Sequence, residues 1–208
     1  AFMVCSFLQR GISTITTPIF TRLLTTDQYG YYSVFNSWLD IVSVFTTLKL
    51  AGGVFTQALV KFEDRRDSFT ASTAGLGTTL TLVFYTLYFP FRSYINEWMG
   101  MNSLIMTCTF AASWATLMFE LWAAQQRVEY KYKALVALTL FTSLAKPLAG
   151  IAAILLVPFE LKVQARIVSL VAVEIFSYIW IFIIFLRKGK TCYNRVNWKY
   201  SLSLNIPL

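Results

Sequence analysis

Six ionisable side chains sit inside long apolar runs of this 208-residue chain: Arg10, Asp40, Lys49, Glu120, Lys146 and Glu174. A charge at the centre of a bilayer costs at least about 2.5–3.5 kcal/mol, so such residues face a bundle interior or an aqueous cavity and mark functional sites by default. Three are cations and three are anions, a balance that admits two readings. In one, the charges pair and hold helices together. In the other, the cations are substrate-binding groups. Arg10 and Lys146 lie near the midpoints of different runs, too deep to reach a surface easily. Two cations at one depth suit a phosphate or pyrophosphate. Lys49, nearer a surface, either joins them or snorkels as an anchor. Asp40, Glu120 and Glu174 then hold a coupling Na+ or proton, or balance the cations.

The neighbours of these charges bear on the backbone. Pro147 follows Lys146 directly, with Gly150 just beyond. A proline removes one helical hydrogen bond and kinks the helix, and broken helices near the midplane mark binding sites in transporters. Pro147 and, more weakly, Pro18 are therefore hinge candidates; an ordinary packing kink is the plainer reading. Asp40 shares a helical face with Asn36, Ser43 and Thr47, a polar stripe that marks either helix packing or a cavity wall. Lys49, nine residues on, falls on the opposite side of the same ideal helix. Glu120 leads into a polar helix end with Gln125 and Gln126, which reads as a vestibule wall or a solvated end. Ala71, Gly75 and Gly77 read as close helix packing.

The elements that carry these residues follow from composition. Hydrophobic residues make up 57% and charged residues 13%, with a mean hydropathy of +0.59. A soluble domain is about 45–50% apolar and about 25% charged. The fold class is therefore an all-α integral membrane protein. A bilayer core of about 30 Å needs roughly 20 apolar residues per helix. Six stretches qualify, at 2–21, 31–50 with an optional extension to 60, 69–89, 103–124, 134–157 and 168–186. A seventh begins at Ser201. The expected architecture is a six-helix transmembrane lobe over 1–200 and the start of a seventh helix over 201–208. The chain starts inside an apolar run and stops at Leu208 before its last element closes, so it reads as a fragment.

Basic residues set the orientation. Eleven fall in the loops after spans two, four and six, and four, counting Arg92, Lys162 and Arg166, in the loops on the other side. The positive-inside rule then places the N-terminus in the cytoplasm. The net charge of +8 thus reports topology, and nucleic acid is not the expected partner. Tyr29, Tyr31, Tyr32, Tyr94 and Trp98 at the outer loops suit an interfacial belt. The chain has no histidine, and Cys5, Cys108 and Cys192 are too far apart for a metal or redox motif. No nucleophile stands beside a base and no glycine-rich phosphate loop is present, so neither an enzyme nor a metal site is expected.

Residues 11–30, GISTITTPIFTRLLTTDQYG, resemble the opening of the polysaccharide biosynthesis flippases. These are Wzx-like, lipid-linked oligosaccharide transporters of the MOP superfamily, related to MATE exporters. Pro18, Thr21, Arg22, Leu23, Leu24, Asp27, Tyr29 and Gly30 carry the likeness. Gly52 and Gly53, the Lys146–Pro147 pair and the closing 198–207 are also similar. The resemblance covers the whole chain and makes it the first lobe of a MOP/MATE-like transporter. It implies alternating access through a cationic cavity in the bacterial inner membrane. It implies undecaprenyl-pyrophosphate-linked oligosaccharide, an O-antigen, capsule or exopolysaccharide repeat unit, as cargo. The partners are then that lipid-linked glycan, membrane lipids and other polysaccharide-assembly proteins. A MATE-like cation antiporter and a polytopic enzyme of glycan assembly are the alternatives. The first would want acids to dominate the cavity, and the second a large outer loop or membrane-facing acid chemistry.

Overall fold

The computed structural model describes residues 2–189, 191 and 193–205, with the side chains at 2–6, 53, 54, 204 and 205 outside that description. Cys192, Lys190, Pro207 and the Cys5 side chain, all used in the sequence argument, therefore lie outside it. Among the described residues all regular structure is helical. The order is α1 (Phe2–Leu23), α2 (Thr26–Thr47), α3 (Gly53–Lys61), α4 (Arg66–Tyr88), α5 (Arg92–Met99), α6 (Ser103–Val128), α7 (Tyr132–Leu156), α8 (Lys162–Gly189) and α9 (Arg195–Asn205).

Four helical stretches are long and apolar enough to cross a membrane: Glu63–Met99, Ser103–Val128, Tyr132–Leu156 and Phe159–Gly189. The sequence argument had six. The two that fall short, α1 and α2, are 22 residues each, but α1 carries five Ser and Thr between Ser13 and Thr21 and α2 carries Asp27, Gln28, Asn36 and Asp40. The hydroxyls of α1 turn inward to their own backbone. Thr14 donates to the Arg10 carbonyl at 2.9 Å and Thr17 to that of Ser13 at 2.8 Å. That bonding lets a polar face persist without outside partners.

Local chemistry sets the breaks. Thr25 caps α2 in a reciprocal pair with Gln28, each side chain accepting from the other's backbone N–H at 3.3 Å. Asn102 caps α6 by accepting from the Ile105 N–H at 2.9 Å. The second span does not extend to residue 60. Leu48 and Lys49 take left-handed backbone angles, φ 46° and 50°, and α3 starts afresh at Gly53. This also corrects the wheel argument for Lys49, which lies past the end of α2 and owes its direction to the turn. Residues 92–99, taken as loop, form α5, which ends at Gly100 with φ 66°.

Helices α6 and α8 form the centre. Helix α8 packs on α4, α6 and α7, and α6 on α2, α4 and α8, while α1 rests chiefly on α7. Ile105, Met106, Leu117, Met118 and Leu121 of α6 are buried in two adjoining clusters. The small-residue stripe of α4 is a close approach, as expected. A Cβ on Gly77 would stand 2.2 Å from Leu117 Cδ2, and one on Gly189 of α8 would stand 2.2 Å from the Ala71 Cβ. Helix α9 starts at Arg195, ahead of the residue-200 boundary read from sequence, and packs on α4 and α3. Trp198 Nε1 donates to the Ser72 carbonyl at 2.9 Å.

Candidate binding cavity between the first, second, seventh and eighth helices

Four helices each turn one face toward a shared space. The i, i+4, i+7 spacing that puts residues on one side of a helix aligns Gln9, Ser13, Thr16 and Phe20 on α1. It does the same for Tyr29 and Tyr32 on α2, Ser143, Lys146 and Pro147 on α7, and Arg166 and Leu170 on α8. They enclose a cavity of about 380 Å³. A second, smaller cavity of about 170 Å³ adjoins it, where Gln9, Ser143 and Lys146 meet Thr142, Glu174 and Tyr178. Gln9 Nε2 donates to Ser143 Oγ at 3.2 Å and ties α1 to α7 across this boundary.

The electrostatics divide in two. At the junction of the cavities, Lys146 Nζ donates to Glu174 Oε1 at 2.5 Å. Glu174 is 6% exposed and its other oxygen, Oε2, has no partner. Burying two charges is favourable only when geometry is close and further hydrogen bonds satisfy them, and here one oxygen stays free. Toward the end that bears the α1–α2 and α7–α8 turns lies Arg166. Its Cζ is 3.4 Å from the ring centroid of Phe20 and 3.8 Å from that of Tyr32. Arg166 is 8% exposed. The Tyr32 hydroxyl is its polar neighbour, but Nη1 reaches no acceptor. Cation–π contacts of this kind are worth about 2 kcal/mol or more when desolvated. Gly150 makes room for the stack, since a Cβ there would meet Phe20 Cζ at 3.2 Å and Arg166 Cγ at 3.8 Å. The turns cross-tie above it, with Gln28 Nε2 donating to the Phe159 carbonyl at 2.8 Å.

The structure brings together only some of the residues singled out from sequence. Lys146 and Glu174 meet as a pair, and Pro147 lines the larger cavity beside them. Helix α7 runs through Pro147, and α1 through Pro18. Arg10, Asp40, Lys49 and Glu120 are exposed and line neither cavity. Lys49 is within Coulombic reach of Glu120. The polar stripe of α2 is largely self-satisfied: Asn36 donates to the Tyr32 carbonyl, Ser43 to Asp40 and Thr47 to Ser43. Gln125 is neither vestibule wall nor solvated. It is buried and donates to both Asp67 and Glu129 at 2.8 Å, joining α4 to the end of α6.

Sequence reasoning missed Arg166. Its apolar window opened at residue 168, which left Arg166 in a loop, whereas α8 starts at Lys162 and buries it. Tyr29 and Tyr32, read as interfacial belt, wall the same cavity. The signal was present. Phe20, Tyr29 and Tyr32 fall at the same end of the bundle as Arg166, and aromatic faces gathered near a lone arginine are what a buried guanidinium needs.

A family model described as "Polysaccharide biosynthesis protein" matches residues 1–208. The chain belongs to the polysaccharide biosynthesis protein family. No curated protein and no solved structure matches it. This family is that of the Wzx-like flippases and other MOP superfamily members, which agrees with the resemblance carried by residues 11–30. Membership and the apolar helices make the chain part of a multi-pass membrane protein with a flippase or transporter role in polysaccharide assembly. Members are generally transporters and not enzymes, and their membrane setting goes with a lipid-linked polysaccharide substrate.

Proposed function

We propose that this chain is the first six-helix lobe of a flippase that carries undecaprenyl-pyrophosphate-linked oligosaccharide from the inner to the outer leaflet of the bacterial inner membrane. The lobe ends ahead of Arg195, where α9 opens the seventh helix; α1 and α2 cross the bilayer with the four apolar stretches. The N-terminus is cytoplasmic, in line with the excess of basic residues after the second, fourth and sixth spans, an excess that grows when Arg166, buried in α8, is taken off the other side. The observation that carries the reading is the Lys146–Glu174 pair, set between two cavities inside an apolar bundle whose family assembles polysaccharide. A cation held at that depth by one carboxylate is a group whose availability can be switched. A coupling ion that engages the Glu174 carboxylate competes with Lys146 for it, and a released Lys146 is free for an anionic headgroup. Arg10 and Lys49, on exposed faces, complete the pyrophosphate contacts as the lobes alternate. Asp40 and Glu120 balance them or share in ion coupling, and Pro18 and Pro147 let α1 and α7 bend.

The test uses the full-length protein in proteoliposomes with a fluorescent lipid-linked oligosaccharide. Arg10→Ala and Lys146→Ala are each expected to slow flipping at least tenfold. Wild-type rates in both would overturn the binding roles. Asp40→Asn and Glu174→Gln are expected to weaken the dependence on an imposed ion gradient, and an unchanged dependence would remove these acids from coupling.

A further inference from the structure

We infer that the groove between α4 and α6 binds one hydrocarbon chain of an anionic phospholipid, whose phosphate is held by Arg92 at the groove's end. Thr78, Leu82 and Tyr85 of α4 face Thr107, Ala111 and Trp114 of α6 across a space of about 240 Å³. The polar groups of this wall are already spent. Thr78, Thr81 and Thr107 donate to the carbonyls of Ala74, Gly77 and Ser103 at 2.8, 2.9 and 2.9 Å, and Trp114 Nε1 donates to Thr78 Oγ1 at 3.0 Å. None of them has a proton left for a polar guest. Residues 68–91 and 103–119 hold no acid or base, and both helices belong to stretches long and apolar enough to cross a membrane. The exposed charges at bilayer depth lie elsewhere, at Arg10 on α1 and Asp40 on α2. The groove therefore opens on lipid, with Leu82 on its rim 59% exposed.

The groove runs the depth of one leaflet and ends at a charge. Thr78, Leu82, Tyr85 and Phe89 follow one another on one helical face, and Phe89 still has helical angles, φ −57° and ψ −47°. At 1.5 Å per residue that face is about 16 Å long, close to half of a bilayer core of about 30 Å. Arg92 stands over the Phe89 ring, its Cζ 5.4 Å from the centroid. It is exposed and enters no ion pair among the described residues. The one acid of α5, Glu97, falls on another face of that helix. A chain gains little hydrophobic energy by leaving lipid for a groove that is equally apolar, so the preference for one lipid comes from fit and from the headgroup. An unpaired arginine at headgroup level favours a phosphate with no cation of its own. The site is independent of the flippase reading and asks only that α4 and α6 cross a membrane.

Native mass spectrometry of the full-length protein released from detergent tests the site. The probes are dioleoyl phosphatidylglycerol and dioleoyl phosphatidylcholine, which share their chains and differ in net charge. Phosphatidylglycerol is expected to stay bound at least fivefold more than phosphatidylcholine. Arg92→Gln should bring the two lipids level, and Arg92→Lys should keep most of the preference, because the charge remains. Ala111→Phe fills the groove from its wall and should lose the retained lipid with Arg92 in place. Leu82→Trp does the same from an exposed position and decides the matter if Ala111→Phe does not fold. Equal retention of the two lipids by the wild type overturns the phosphate contact. So does a preference unchanged in Arg92→Gln, which would mean that the lipid is held elsewhere. Retention unchanged in the folded filling variants overturns the groove.

Discussion

Lys146 on α7 and Glu174 on α8 meet at 2.5 Å, Nζ to Oε1, and are the only ion pair joining two long helices among the described residues. Removing one partner of a buried pair leaves an unanswered charge and costs about 3–5 kcal/mol, whereas replacing both with apolar residues is often neutral. Lys146 retains some exposure, 29% of its side chain, so the low end applies. Glu174→Gln is expected to destabilise the purified protein by about 3 kcal/mol. The double variant Lys146→Met/Glu174→Leu should regain most of it. Denaturant unfolding in detergent gives both values, and a neutral single variant would show that the pair holds nothing together.

Glycine positions give a graded packing series. Gly189→Ala places a methyl 2.2 Å from the Ala71 Cβ and 2.7 Å from the Asp67 carbonyl oxygen, so backbone must move. A loss of about 1–3 kcal/mol is expected. Gly77→Ala meets only the end of the Leu117 side chain, which can swing, and should cost less. Gly30→Ala meets nothing within 4 Å in α2 and should gain about 0.5–1 kcal/mol from helix propensity. Unfolding midpoints in the reverse order would contradict the α4–α8 and α4–α6 contacts.

The Lys49 backbone separates structural from functional roles. Left-handed angles cost a non-glycine residue roughly 1–2 kcal/mol, and Lys49 holds φ 50°. Lys49→Gly should therefore stabilise the turn by about 1 kcal/mol while slowing flipping if the ammonium contacts the cargo. Greater stability with an unchanged rate would make Lys49 an anchor only.

Acid should loosen the α6–α7 turn through Glu129. Burial pushes its carboxyl up, but hydrogen bonds from Lys131 at 2.7 Å and Gln125 at 2.8 Å, with the Lys131 and Lys188 charges, bring it below its ordinary value. A group lowered on folding contributes stability that is present above its unfolded value and lost as pH falls through the folded one. Taking the pH from neutral to below about 4, the ordinary glutamate range, should lower the thermal midpoint more in wild type than in Glu129→Gln. Parallel curves would mean that the contact adds nothing.

Apolar continuity made α4, α6, α7 and α8 legible, because a run long enough to cross a bilayer needs no partner to be recognised. The turn at Leu48 and Lys49 was not, since left-handed angles on two ordinary residues leave no compositional mark. The short helix α5 was hidden for the opposite reason: its polar sequence RSYINEWM carries no apolar run. At the site, Lys146 and Glu174 were visible as charges in apolar sequence, but their pairing depends on how α7 and α8 register, which neither helix encodes alone. Arg166 was lost because a hydropathy window cuts where charge begins, while the fold hides that charge between two rings.

The bond between Gln9 and Ser143 spans 134 residues of sequence and joins α1 to its chief packing partner, α7. At about 5–20 residues per second, a ribosome takes roughly 7 to 27 s to advance the 134 positions from Gln9 to Ser143. Through that interval α1, with Arg10 and a row of threonines on its exposed side, has emerged and α7 has not. Its hydroxyls folded back on its own carbonyls are what it carries through the wait. Helix α1 thus emerges long before it can settle.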